Sequence, residues 1–171
     1  MRTRTILPVC TALMLAGCGF RPLYGTSSIP QGAESAFATI RVEPIAATND
    51  SDRIGFLVAE ALDRTLHTPG HNEPVAYALA VKLADERRGL AVQDDASVTR
   101  YNYRLVAEWA LTPLGAETPA TSGRAETTAS YNVVDSQYAT LVARKDAEDR
   151  AAREIAEQIK LRLAVSLIKP D

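Results

Sequence analysis

The stretch YNYRLVAEWAL, Tyr101 to Leu111, alternates large apolar residues with polar or small ones along its whole length. A period of two is typical of a β-strand with one buried side and one exposed side, so Tyr101, Tyr103 and Trp109 are predicted to lie in the core. The stretches VAYALAVKL (Val75 to Leu83) and AETTASYNV (Ala125 to Val133) show the same alternation. Consecutive alternating segments predict an antiparallel meander that buries one face.

One more strand and two helices complete the predicted domain. The alternation in AFATIRVEPI, Ala36 to Ile45, predicts a first strand, and residues 52–67 have the apolar spacing of a helix that ends before Pro69-Gly70. A long final helix is predicted over residues 137–167. Its packing face carries Leu141, Ala152, Ile155, Ala156, Ile159, Leu163 and Leu167. The order β-α-β-β-β-α predicts an α+β fold, in which two helices pack on one face of a four-stranded sheet.

The charged segment ADERRGLAVQDDAS, residues 84–97, is predicted to be a long loop between two strands. Arg87 and Arg88 stand side by side in it, and adjacent guanidiniums can bind a phosphate or carboxylate bidentately. Because Asp85 and Glu86 precede them, a local cluster of ion pairs is the alternative interpretation.

The outward positions of two neighbouring predicted strands carry three arginines, Arg100, Arg104 and Arg124. Their shared parity predicts a basic stripe across the open face of the sheet, which could bind an anion. The alternative is that they are ordinary solvated arginines, which are common on exposed sheet faces.

The composition argues against several functions. With 171 residues and a net charge of −2, the chain lacks the basic excess of nucleic-acid-binding proteins. Its two histidines, His67 and His71, have helical spacing, but Pro69-Gly70 interrupts the helix between them and no cysteine lies near in the sequence. No metal site is predicted. The motifs H-E-x-x-H, G-x-S-x-G, G-x-G-x-x-G and the P-loop are absent, so the sequence favours a binding protein over an enzyme.

The N-terminus has the pattern of an export signal. Arg2 and Arg4 precede the apolar run ILPVCTALML, and small residues follow it. The sequence Leu15-Ala16-Gly17-Cys18 resembles the lipobox of bacterial lipoproteins, in which the cysteine is acylated and becomes the first mature residue. A plain secretory signal with a chance cysteine is the alternative.

Processing at that cysteine predicts three segments. These are a signal peptide over residues 1–17, an acylated tether over 18–35, and a single α+β domain over 36–171. Cleavage would leave Cys18 as the one cysteine of the mature chain, and acylation explains a lone thiol in an exported protein. Gly19 follows it where many inner-membrane lipoproteins have aspartate, which favours the outer membrane.

The string CGFRPLYG, Cys18 to Gly25, directly follows the lipobox and resembles the mature start of LptE-type lipoproteins of alphaproteobacteria. The predicted order of strands and helices is similar to that family's. The resemblance implies a non-enzymatic lipoprotein without a cofactor beyond its acyl anchor. It would sit in the outer membrane, facing the periplasm or a barrel lumen. It would plug the LptD β-barrel and help insert lipopolysaccharide into the outer leaflet.

The same resemblance gives the arginines a possible ligand, because lipopolysaccharide carries phosphates and acidic sugars. The candidate contacts are Arg87, Arg88, Arg100, Arg104 and Arg124. Two other functions stay open at this point. One is a lipoprotein subunit of another envelope machine, such as a secretin pilotin or a transporter auxiliary protein. The other is a lipid-anchored hydrolase that uses carboxylates.

Overall fold

Three long strands form most of the sheet in the computed structural model. The structure describes residues 33–46, 52–67, 73–92 and 98–168. The long strands are β2 (Tyr77–Val92), β3 (Val98–Pro113) and β4 (Thr121–Asn132). Strand β3 lies between the other two and pairs antiparallel with both. The predicted meander is confirmed.

The first strand is shorter than predicted. Strand β1 (Ile40–Val42) pairs parallel with the start of β2, with Ile40 opposite Tyr77, and the preceding residues form helix α1 (Ala33–Ala38). The prediction of a strand over 36–45 is therefore wrong at its beginning. The segment AESAFA is rich in helix-forming alanine, and the helix buries Phe37 almost completely. Because β2 begins at Tyr77, a longer first strand would also lack a partner at that end.

Helices α2 (Asp52–Leu66) and α3 (Gln137–Ile168) pack on one face of the sheet, as the sequence predicts. Helix α3 contacts β3, β4 and α2, whereas α2 reaches the sheet at β1. Most of the largest buried side chains come from these two helices and the inner face of the strands. They include Ile54, Leu62, Leu66, Leu79, Leu105, Leu111, Ile155, Ile159 and Leu163.

Polar contacts fix α2 against its neighbours. Arg53 donates from Nε to Glu148 and from Nη2 to Asp149, both at 3.1 Å, and so joins the start of α2 to the middle of α3. At the other end, His67 follows α2 and lies 2.8 Å from Asp63 Oδ1 and 2.9 Å from the carbonyl oxygen of Ile40. The contact with Ile40 joins the end of α2 to β1, and the contact with Asp63 orients the His67 ring.

Side chains of α3 cap part of the outer edge of β4. The amide of Gln158 bonds both the backbone N–H of Glu126 (3.3 Å) and its carbonyl oxygen (3.1 Å), and Arg150 donates to the carbonyl oxygen of Ser130 at 3.1 Å. Satisfied backbone groups at a sheet edge hinder pairing with another strand.

The predicted N-terminal segments fall almost entirely outside the described residues. The signal peptide over 1–17 and Cys18 lie there, as does the tether over 18–35 except for its last three residues, which belong to α1. Among the helices that are described, none has the length and apolar character needed to cross a bilayer.

Candidate functional site

The structure places Arg87 and Arg88 in strand β2, so the prediction that they occupy a loop is wrong. Strand β2 continues to Val92 because it stays paired with β3, where Arg87 lies opposite Tyr103 and Arg88 opposite Asn102. Successive side chains of a strand point to opposite faces. The two guanidiniums therefore cannot bind one phosphate as an adjacent pair: Arg87 shares the face of the helices, and Arg88 the open face.

The open face of the sheet does carry the predicted arginines, but they alternate with carboxylates. Within the described part of β2, β3 and β4, the charged residues on this face are Lys82, Glu86, Arg88, Arg100, Arg104, Glu108, Arg124 and Glu126. Arg104 Nε lies 2.7 Å from Glu126, and Arg124 lies 3.5 Å from the same carboxylate. The stripe is thus a mixed network with a small excess of positive charge.

Glu126 is the centre of this network. The hydrogen bond donated by Arg104 holds the pKa of Glu126 below its ordinary value, assisted by the charges of Arg104 and Arg124 and opposed by desolvation. Arg88 forms a separate pair with Glu86 at 3.1 Å. Arg100 is exposed and has no carboxylate within ion-pair distance among the residues that the structure describes.

A cleft of about 1150 Å³ lies at the other face, where the β2–β3 hairpin extends beneath the first turns of α3. Its lining residues come from β2, β3, β4 and α3. They are Asp85, Glu86, Arg87, Tyr101, Tyr131, Val133, Val134, Gln137, Thr140, Leu141 and Arg144. Helix α2 begins beside Glu148 and Asp149, so it does not run along the first turns of α3 that line the cleft.

Two stacked tyrosines lie in the cleft. The rings of Tyr101 and Tyr131 are 5.7 Å apart between centroids, with planes 15° from parallel. Tyr103 and Trp109 are buried, as the sequence predicts, but Tyr101 is only partly buried within the described structure. Tyr131 is buried, so the pair offers the one partly exposed ring of Tyr101 as flat apolar area, together with hydroxyl groups that can donate and accept hydrogen bonds.

The first turns of α3 form the opposite wall and expose apolar side chains. Tyr138, Leu141 and Val142 are 76%, 39% and 47% exposed, and the first fully buried residue of the helix is Ala147. Leu141 is predicted to lie on the packing face, but its side chain is exposed and lines the cleft, so that prediction is wrong at this residue. The spacing of these three residues places them on adjoining parts of the helix surface.

Two guanidiniums of the cleft lie near the hydroxyl of Tyr131. Burial raises the pKa of Tyr131, and the charges of Arg87 and Arg144 partly offset that rise. Nε of Arg144 is buried without a hydrogen-bond partner among the described residues, and the Glu148 oxygen that approaches it lies 3.5 Å away. The positive charge of Arg144 is thus only partly compensated by Glu148.

The sequence alone did not single out Arg144, Tyr131 or Leu141 as site residues. Arg144 stands at the start of the charged run RKDAEDRAARE, which is typical of a solvated helix, while the other two match a core pattern. One signal was available. Tyr138 and Val142 are apolar residues near the start of the helix that lie outside its predicted packing face. The structure shows both of them exposed.

The described cleft lining combines arginines, tyrosines and acidic residues with aliphatic ones. Within the described lining there is no histidine, cysteine or serine, the side chains that many enzymes use as nucleophile or general base. The described residues also contain no group of three potential metal ligands. His71 lies outside them, and the ring of His67 is engaged by Asp63 and by the carbonyl oxygen of Ile40.

Comparisons with known proteins show that other bacterial lipoproteins share this fold. A search of curated proteins found no match. Among solved structures, a lipoprotein from Caulobacter crescentus CB15 is 31% identical and matches with a TM-score of 0.64 over 82% of this chain and 99% of its own. Rare lipoprotein B from Shewanella oneidensis shares 15% identity, with a TM-score of 0.52 over 75% of this chain and 97% of its own.

A minor lipoprotein from Acinetobacter baumannii has the same fold, at 12% identity and a TM-score of 0.52, over 76% of this chain and 93% of its own. The family model described as LptE, lipopolysaccharide-assembly, matches residues 37–163, which span every strand and most of the helical layer. The chain therefore belongs to the LptE family of lipopolysaccharide-assembly proteins.

Proposed function

We propose that this protein is a non-enzymatic outer-membrane lipoprotein that forms a complex with the LptD β-barrel, plugs its lumen and helps assemble lipopolysaccharide in the outer leaflet. The observation that carries the proposal is the family match over residues 37–163. The binding character of the cleft lining, with its arginines, tyrosines and aliphatic residues, supports a role in assembly rather than catalysis.

The N-terminal part of the proposal rests on the sequence. Leu15-Ala16-Gly17 would direct cleavage and Cys18 would carry the acyl chains, with Gly19 consistent with an outer-membrane address. Several acyl chains on one cysteine would anchor the protein stably, since one chain alone binds only weakly. From Cys18 to the start of α1 at Ala33, an extended tether could span up to roughly 50 Å.

A barrel lumen suits a plug with a polar, mixed-charge surface, because the interior of an outer-membrane barrel is polar. The open face of the sheet fits that description, since its arginines alternate with carboxylates.

The same face is our proposed contact for the phosphates of lipopolysaccharide. Arg100 is available there without breaking an ion pair within the described structure, while Arg88, Arg104 and Arg124 are held only by exposed pairs. Exposed pairs contribute about 0–1 kcal/mol each, so a phosphate with more charge than a carboxylate can displace them. Arg87 would not take part, because it belongs to the opposite face.

Depletion of the protein in its native host tests the main proposal. We expect lipopolysaccharide to stop reaching the cell surface, and we expect affinity purification of the tagged protein from outer membranes to recover a large barrel protein. Recovery of a secretin or a transporter instead would identify a subunit of another envelope machine. A Cys18→Ser variant should lose acylation, which mass spectrometry of the purified protein measures directly.

Binding of purified lipopolysaccharide tests the open-face contact. We expect Arg100→Glu combined with Arg104→Glu to weaken binding by about tenfold or more, because two charge-assisted contacts are replaced by repulsion. Arg153→Glu is the matched control, since Arg153 is an exposed arginine of α3 outside this face. Equal binding by the double variant and the control would refute the contact.

A further inference from the structure

The cleft between the β2–β3 hairpin and the start of α3 has features of a protein-binding site, and the described residues leave it open. Leu141 lines it, Tyr138 and Val142 are exposed on the same turns of α3, and the lining adds two tyrosines and two arginines. Tyrosine and arginine are enriched where a few residues contribute most of the binding energy between proteins. The volume of the cleft, about 1150 Å³, is large enough to hold a short polypeptide segment.

The charges of the cleft favour a polypeptide over a polyanionic lipid. Arg87 and Arg144 lie near the Tyr131 hydroxyl, but Asp85, which shares the face of Arg87 on β2, lines the same cleft. A phosphate-rich lipid would meet this carboxylate as a like charge. A polypeptide can place an acidic side chain at the arginines and avoid negative charge elsewhere, so it complements a mixed lining.

The apolar part of the lining leads to the same conclusion. Leu141 and Val134 lie in a cleft shared with three charged side chains and with Gln137 and Thr140, so the described lining offers no wholly apolar channel for acyl chains. One aliphatic or aromatic side chain of a protein segment would suffice to contact these residues and the ring of Tyr101.

We propose that this cleft receives an extended segment of the barrel partner, with an acidic side chain between Arg87 and Arg144 and a neighbouring apolar side chain against Tyr101 and Leu141. The inference rests on the proposed function, because it assigns a docking site to the partner named there. It also assigns Arg87 a role distinct from that of Arg88, its neighbour on the strand.

Arg87 and Arg153 provide a matched pair of variants. Arg87→Glu and Arg153→Glu make the same charge reversal at exposed positions, but Arg153 lies on α3, outside both the cleft lining and the open face of the sheet. With the full-length tagged protein in its native membrane, we expect Arg87→Glu to reduce recovery of the barrel protein by about tenfold, the effect of losing a residue that dominates an interface. Arg153→Glu should leave recovery within about twofold of the native level.

A photo-crosslinker identifies the occupant directly. With p-benzoylphenylalanine at position 141, in place of Leu141, we expect a crosslink to a barrel peptide that contains an acidic residue. Replacing that acidic residue by arginine in the partner should restore recovery with Arg87→Glu. A crosslink to lipopolysaccharide alone, no crosslink, or equal recovery with both arginine variants would overturn the docking site. Failure of the native protein to recover any barrel protein would instead refute the proposed function itself.

Discussion

Gly123 is predicted to be essential for the packing of Trp109, the single tryptophan of the chain. The two residues lie opposite each other on β4 and β3, and the indole is 4% exposed. A Cβ added to Gly123 would lie 2.7 Å from Cζ2 of Trp109 and 3.0 Å from Cε2. Both atoms belong to a rigid buried ring, so the Gly123→Ala variant can form the sheet only if the indole or the strand moves.

The expected magnitude is a balance of two effects. Overpacking a buried site costs about 1–3 kcal/mol, whereas replacing glycine within a strand recovers about 0.5–1 kcal/mol of conformational entropy. We therefore expect Gly123→Ala to lower the free energy of unfolding by about 1–2 kcal/mol, and the melting temperature by about 3–10 °C. Urea unfolding of the purified protein, followed by far-ultraviolet circular dichroism, measures the change.

A double-mutant cycle separates the clash from any general effect of the substitution. In a Trp109→Leu background the obstructing ring atoms are gone, so Gly123→Ala should be neutral or stabilising there, with a coupling energy of about 1 kcal/mol or more. Gly115→Ala is the contrasting control: Gly115 has a φ of +85°, and an added Cβ meets nothing within 4 Å. Its cost comes from backbone strain and should be the same with Trp109 or Leu at position 109. Native stability in Gly123→Ala, or no coupling, would refute the reasoning.

Three further outcomes follow from the ion pairs and the histidine contact. Arg53→Ala should lower the free energy of unfolding by about 1 kcal/mol, because it detaches α2 from two carboxylates of α3. If the variant lost the same amount of stability in 1 M salt as in low salt, an electrostatic origin would be contradicted. Glu126→Gln should flatten the pH dependence of stability. The carboxyl pKa is lowered on folding by the hydrogen bond from Arg104, so its contribution is present above the ordinary glutamate pKa of about 4.3 and is lost as the pH falls through the lowered value. His67→Ala should loosen the end of α2, seen as faster amide hydrogen exchange in its last turn than in the native protein.

Several features of the fold follow from local sequence alone, because they depend on periodicity. The alternation in Tyr101 to Leu111 predicts both that segment's strand and which of its residues face inward, and the confirmed register places Leu105 and Ala107 in the core. The final helix is likewise predicted nearly to its true ends, Gln137–Ile168, because its apolar residues keep helical spacing over many turns.

Local sequence predicts the candidate site less well. The residues 84–97 appear loop-like because charged residues and glycine interrupt the alternation, yet β2 continues through Arg88 because β3 pairs with it across the chain. Pairing between strands is a long-range contact, and propensity within one segment does not determine it. The face on which Arg87 lies could not be assigned without that pairing.

The sequence by itself determined an α+β domain with an inward apolar pattern on three strands and one long helix, since hydrophobic burial imposes periods of 2 and 3.6 residues on those elements. Only the tertiary structure decided where the helical layer ends. Arg53 places the start of α2 beside Glu148 and Asp149, and within the described structure Tyr101 and Leu141 stay partly exposed although their sequence pattern is that of core residues. The pattern shows which side of an element faces inward, but whether anything packs against that side depends on the position of distant elements.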